Sequence, residues 1–247
     1  MNTDLQNIPN TPPLIISDGS KILDAIYATL FFLSICWSLY FLDHLLGYNL
    51  RSWALVPREL QGLKGIVGMH FLHGSLSHLW HNTLSFAVLN TILFYFYRSI
   101  SLKTFFTILF FGAVLLWLIG RPTAHIGASL LIYGEFSFLF FSGILRKNPS
   151  LMRVTLTVAL FYGSIIWYLF PIDPVISWEG HIGGFISGIF AAVLYRRQGP
   201  ADKVYQFQLE PEEEPEEPLE EKLQEEEVKK NTPLVSVRYH YKEKDQS

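Results

Sequence analysis

Charge is scarce in this 247-residue chain: Asp, Glu, Lys and Arg make up 17% of it, where an ordinary soluble domain carries about a quarter. Cysteine is scarcer still. Cys36 stands alone inside an apolar run, which excludes a disulfide-stapled scaffold. Basic residues form no stripe beyond short clusters, which argues against nucleic acid as a partner. What abounds is apolar, with 50% hydrophobic letters and 15% aromatic. The few charges are also unevenly placed. Residues 1–199 hold 12 Lys and Arg against 8 Asp and Glu, whereas residues 200–247 hold 7 against 14. An apolar, faintly basic body with a strongly acidic tail is the composition of a polytopic membrane protein with a soluble appendage.

A bilayer core of roughly 30 Å needs about 20 apolar residues per helix. Such stretches run over about 24–46, 76–97, 102–120, 128–145, 152–170 and 179–196, giving six expected spans and both termini on one side. Lys21, Arg98, Lys103, Arg146, Lys147, Arg153, Arg196 and Arg197 then flank the spans on that side, against Arg51, Arg58, Lys64 and Arg121 on the other. The excess of positive charge predicts cytoplasmic termini. The first twenty residues carry Asp4, Asp18 and three prolines, so no cleavable leader is expected. The expected organisation is a cytoplasmic segment over 1–20, a membrane domain over 21–199 and an acidic cytoplasmic tail over 200–247. The Glu/Pro tract from Glu210 to Glu227 is expected to stay disordered. Gly47 to Ser75 is too long for a tight turn, and is expected to lie partly in the headgroup zone.

The apolar body carries groups that lipid penalises: His73, His78, His81, Asn82, His125, Ser129, Glu135 and His181. The histidines and Asn82 gather at the outer ends of the second, fourth and sixth spans. Ser129 follows Gly127, whose missing side chain lets backbone approach closely, and Tyr133 lies one turn further on the same face. Alone, such a serine reads as a helix N-cap. His181 precedes Gly184 and Gly188, two glycines at a spacing that lets helices pack backbone to backbone. If that face packs on the fourth span, imidazole and hydroxyl come within reach of each other. His78 and Asn82, four apart, share a face from which both can donate hydrogen bonds. A zinc site built from His78 with His73 or His81 lacks a His-Glu-x-x-His pattern and a nearby carboxylate, so no metal is expected. Glu135 is expected to pair with a neighbouring helix.

These three segments together resemble the rhomboid family of intramembrane serine proteases, over about residues 24–197. His73-Gly74-Ser75 with His78 and Asn82, Gly127-Ala128-Ser129 with Tyr133-Gly134, and His181 with Gly184 and Gly188 are similar to its three motifs, in order on spans two, four and six. The resemblance implies an all-α, six-helix membrane bundle that cleaves transmembrane helices of single-span substrates in a lipid bilayer, without cofactor or metal. It implies Ser129 as nucleophile and His181 as general base, with His78, Asn82 and the Ser129 N–H as oxyanion donors. Tyr133 would stack on the imidazole and His73 would bond within the outer loop. The fifth span and the Pro171–Ser177 loop would form a movable cap. Leu130 stands where the family usually has glycine, which implies either a crowded cavity or altered helix packing with nucleophile, base and oxyanion donors kept, and a client-binding protein with little or no catalysis is the alternative. Gly180 replaces a usual alanine, and Arg51-Ser52-Trp53 replaces a usual Trp-Arg pair. The compact layout suggests a bacterial inner membrane.

Overall fold

The computed structural model describes residues 18–200; the acidic tail, with its expected disorder, and nearly all of the 1–20 segment lie outside them. Seven α-helices follow one another: α1 (Asp18–Leu46), a four-residue α2 (Gly65–Gly68), α3 (Leu76–Phe96), α4 (Ser101–Ile119), α5 (Ser129–Arg146), α6 (Pro149–Tyr162) and α7 (Trp178–Leu194). A 3-10 segment, Gly163–Leu169, prolongs α6. No strand occurs among the described residues, only an antiparallel bridge between Leu55 and His125. The helix ends have local causes. Ser75 caps α3 by accepting from the His78 N–H at 3.1 Å. Lys147 ends α5 in a left-handed conformation, and the next residue, Asn148, caps α6 with Pro149 in its first turn, so two helices turn within three residues.

Four helices are long and apolar enough to cross a membrane: α1, α4, α5, and α6 with its 3-10 continuation. The six-span expectation meets its limit at the other two. Serines, histidines and Asn82 dilute the outer turns of α3, and α7 is only 17 residues long and rich in glycine. α5 is the axis of the molecule. Its apolar window is 67% buried, against 22–33% for the other three.

Lipid tails are as apolar as leucine, so burial alone does not hold such helices together; close backbone packing does. α7 lies mainly on α5 and α4. A Cβ on Gly184 would overlap the Leu130 carbonyl oxygen, and one on Gly188 would overlap that of Gly134. Ser137 Oγ crosses the same interface to donate to the Phe185 carbonyl at 2.8 Å. α1 joins α3 through polar contacts: Asn90 Nδ2 donates to Thr29 Oγ1 at 2.8 Å, and Trp37 Nε1 to Thr83 Oγ1 at 3.1 Å. Glu135 departs from expectation. It is fully buried, and neither carboxyl oxygen has a hydrogen-bond partner.

Between α1 and α3 the chain folds into short helical turns rather than running free. Arg58 Nη1 donates to the carbonyls of Leu118 and Gly120, and Trp117 Nε1 to that of Glu59. Paired backbone bonds join Leu55 to His125, and Gly127 N–H donates to the Met69 carbonyl at 2.8 Å. This segment therefore fixes the approach to α5.

Two of its histidines are buried, and burial pulls His70 down to about 4 and His73 to about 3. The unfolded chain takes up both protons near pH 6.5, whereas the folded chain resists until far lower pH. Acidification from pH 7 to 5 is thus expected to favour unfolding by about 2 kcal/mol per histidine. The thermal midpoint in detergent should fall by roughly 10 °C over that interval. Replacing both residues with glutamine should shrink the fall, and an unshrunk fall would count against this origin.

Candidate active site

Ser129 is the first residue of α5, and the N-cap position before it belongs to Ala128, so the serine is not the cap. Its hydroxyl is half-buried and makes no hydrogen bond among the described residues, with His181 included. Gly127 places it. At φ +116° Gly127 holds a backbone conformation that side chains rarely adopt, and a Cβ there would also stand 2.7 Å from Cε1 and Nε2 of His78 and 3.3 Å from Nδ2 of Asn82. Glycine is thus required twice over. The imidazole and the amide both press on the turn that delivers Ser129.

Asn82 is 7% exposed, and its Nδ2 is buried without an acceptor. A donor left idle in a protein interior is costly, and such groups concentrate where a ligand completes them. His78 is half-buried, and its ring meets that of His73 edge to face, with centroids 5.1 Å apart. His73 is buried and braces His78 by that ring contact. His81 turns away, its Nδ1 on the Ser77 carbonyl at 2.7 Å.

On α7, His181 is 7% exposed and lies flat on Tyr133, centroids 4.0 Å apart and planes 8° apart. Its Nδ1 is 2.9 Å from the Tyr168 carbonyl oxygen. A carbonyl only accepts, so Nδ1 carries the proton and Nε2 keeps a free lone pair. Tyr133 in turn donates its hydroxyl to the Ile165 carbonyl at 2.9 Å. Both acceptors belong to the 3-10 continuation of α6. That stretch buries none of its residues, and its first residue, Gly163, faces open space.

Leu130 does not crowd this arrangement. Its side chain is buried against Gly112 of α4, while its carbonyl meets Gly184. The expected residues are therefore gathered. Tyr133 and His181 touch, Gly184 and Gly188 seat α7 on α5, and His78 and Asn82 touch the turn before Ser129. Sequence reasoning missed the Tyr168 carbonyl, which no side-chain letter encodes. It also left His125 without a role and overlooked an ion pair from Arg121 Nε to Glu179 Oε1 at 3.4 Å.

A helical bundle whose described residues include four apolar helices of membrane length defines an integral membrane protein. A model of the Rhomboid domain matches residues 61–198, more than half of the chain, and the chain belongs to the rhomboid family, a family of intramembrane serine proteases. An uncharacterized protein of Mycobacterium tuberculosis and one of Mycobacterium bovis are each 30% identical over 195 residues, covering 75% of this chain and 81% of the relative. An uncharacterized protein of Mycobacterium leprae is 29% identical over 173 residues, 66% of this chain and 68% of its own.

Proposed function

We propose that this protein is an intramembrane serine endopeptidase that cuts the transmembrane helices of single-span proteins with a Ser129–His181 dyad. One observation carries the reading: His181 is held by Tyr133 and the Tyr168 carbonyl, its Nε2 free, on a helix seated against the one that begins at Ser129. In the reaction Ser129 Oγ attacks the scissile carbonyl carbon while its proton passes to Nε2 of His181. The tetrahedral oxyanion is met by Asn82 Nδ2–H, by His78 and by the Ser129 backbone N–H at the start of α5. Collapse breaks the C–N bond, and the same Nε2 proton goes to the leaving amine. Water then hydrolyses the acyl-enzyme, with His181 again as base. The Tyr168 carbonyl does for Nδ1 what a carboxylate does in a triad.

The substrate class follows from the medium. A transmembrane helix satisfies its backbone bonds internally, so only a segment that unwinds easily offers a scissile carbonyl. Six spans in a bacterial inner membrane, with cytoplasmic termini, place the dyad near the outer face. The exposed 3-10 stretch and the Pro171–Ser177 loop serve as the cap that moves for substrate entry.

The test is phosphonylation by a fluorophosphonate, in which Ser129 Oγ bonds phosphorus, the P–F bond breaks with loss of fluoride, and the hydroxyl proton passes to the base. Labelling of the folded wild-type chain that maps to Ser129 supports the protease; no labelling favours a client-binding rhomboid-like protein. Asn82→Ala separates catalysis from stability. Loss of one oxyanion donor typically costs about 2.7–4 kcal/mol, so cleavage of a reporter helix should slow by roughly 100- to 1000-fold. The thermal midpoint should not fall, because Nδ2 bonds nothing in the resting fold. Equal losses of activity and stability would contradict this role.

A further inference from the structure

Four residues before Ser129 and four before His181 stand a second pair, His125 and Ser177. Ser177 Oγ lies 2.6 Å from His125 Nδ1, and His125 Nε2 lies 3.1 Å from the Arg121 carbonyl. The carbonyl only accepts, so Nε2 carries the ring proton and Nδ1 accepts from the serine hydroxyl. The same serine oxygen receives the Gly180 N–H at 3.3 Å as the N-cap of α7. One hydroxyl thus caps the base's helix and ties it to the chain that leads into the nucleophile's helix.

The backbone of His125 is committed as well, both its N–H and its C=O being bonded to Leu55. Beside it Arg121 Nη2 donates to the Ile176 carbonyl at 2.5 Å, and Arg121 Nε pairs with Glu179 Oε1. His125 and Glu179 are each 3% exposed. With the Arg121 N–H that also donates to Glu179 Oε1 at 3.4 Å, four links join residues 121–125 to residues 176–179, at the ends of the two elements that carry Ser129 and His181.

Further in, Gly184 and Gly188 hold α5 and α7 together without this clasp. Loss of the clasp accordingly leaves the bundle assembled and frees only its outer ends. Those ends carry the reacting groups, and a misplacement of about 1 Å can slow a reaction about 100-fold. We propose that His125 and Ser177, backed by the Arg121–Glu179 pair, are positioning residues that set the separation of Ser129 from His181. This rests on the proteolytic reading above.

The experiment measures fluorophosphonate phosphonylation of the full-length chain in lipid vesicles, with the limiting rate and the half-saturating probe concentration fitted separately. His125→Ala should lower the limiting rate at least 30-fold and leave half-saturation within twofold. Ser177→Ala added to His125→Ala loses the shared link only once and otherwise removes just the cap on Gly180, so the two losses should be less than additive. Asparagine puts an acceptor near the place of Nδ1, so His125→Asn should recover to within about fivefold of wild type; His125→Gln should not. Thermal midpoints are recorded alongside. A wild-type rate in His125→Ala overturns the proposal, as do additive losses or equal rates for the asparagine and glutamine variants. The last comparison decides the matter even where His125→Ala does not fold. An unlabelled wild type would instead strike at the proteolytic reading itself.

Discussion

Ser129→Ala is expected to abolish both fluorophosphonate labelling and cleavage of a single-span reporter, and His181→Ala to slow both by at least about a thousand-fold. In the proposed dyad the two groups would act as one unit: without the imidazole the hydroxyl would keep its proton, and without the hydroxyl the imidazole would have nothing to activate. The surroundings should survive either change. Ser129 bonds nothing in the resting structure, so its removal strands no partner. His181→Ala removes the ring stacked on Tyr133 and the bond to the Tyr168 carbonyl, and should loosen the 3-10 segment as well. Labelling that persists in Ser129→Ala and maps to another serine would refute the assignment. So would a His181→Ala protein that reacts at the wild-type rate.

The second large effect belongs to Gly184. A Cβ added to Gly184 would overlap the Leu130 carbonyl oxygen, a backbone atom that no rotamer change can move aside. Gly184→Ala must push α7 away from α5, and overpacking of this kind costs about 1–3 kcal/mol, or more when backbone has to move. The dyad spans the same interface, so labelling at Ser129 should drop at least about 100-fold even at temperatures where the protein stays folded. Gly163→Ala is the counterpart. That residue is in ordinary helical conformation with open space where a methyl would go, so the substitution should be neutral or slightly stabilising. A Gly184→Ala protein with wild-type midpoint and labelling would show that the helices do not meet as closely as described.

The ends of the helices were largely legible in the chain, since apolar runs against a bilayer leave little choice of length. α3 at Leu76–Phe96 and α4 at Ser101–Ile119 fall within a residue of the stretches read from hydropathy. α6 begins earlier than its apolar run because Asn148 and Pro149 start a helix regardless of hydropathy. The outer segment was the least legible. Its glycines at 62, 65 and 68 let it fold on its own residues 53–56, an approach that no periodicity announces. In the site, types and spacings were enough to single out Ser129, His181, His78 and Asn82. They were not enough to find what holds these groups. Leu130 looked obstructive because a sequence does not say which way a side chain turns, and it turns into the notch at Gly112.

The free nitrogen of the base is defined by a carbonyl on the least enclosed of the membrane-length helices, whose window is only 22% buried. A loosely held span answers a change in hydrocarbon thickness by tilting, whereas one gripped on all sides cannot. For the proposed protease, a thinner or thicker bilayer is therefore expected to reach the orientation of His181 before it reaches Ser129, so that the host lipid would set the rate.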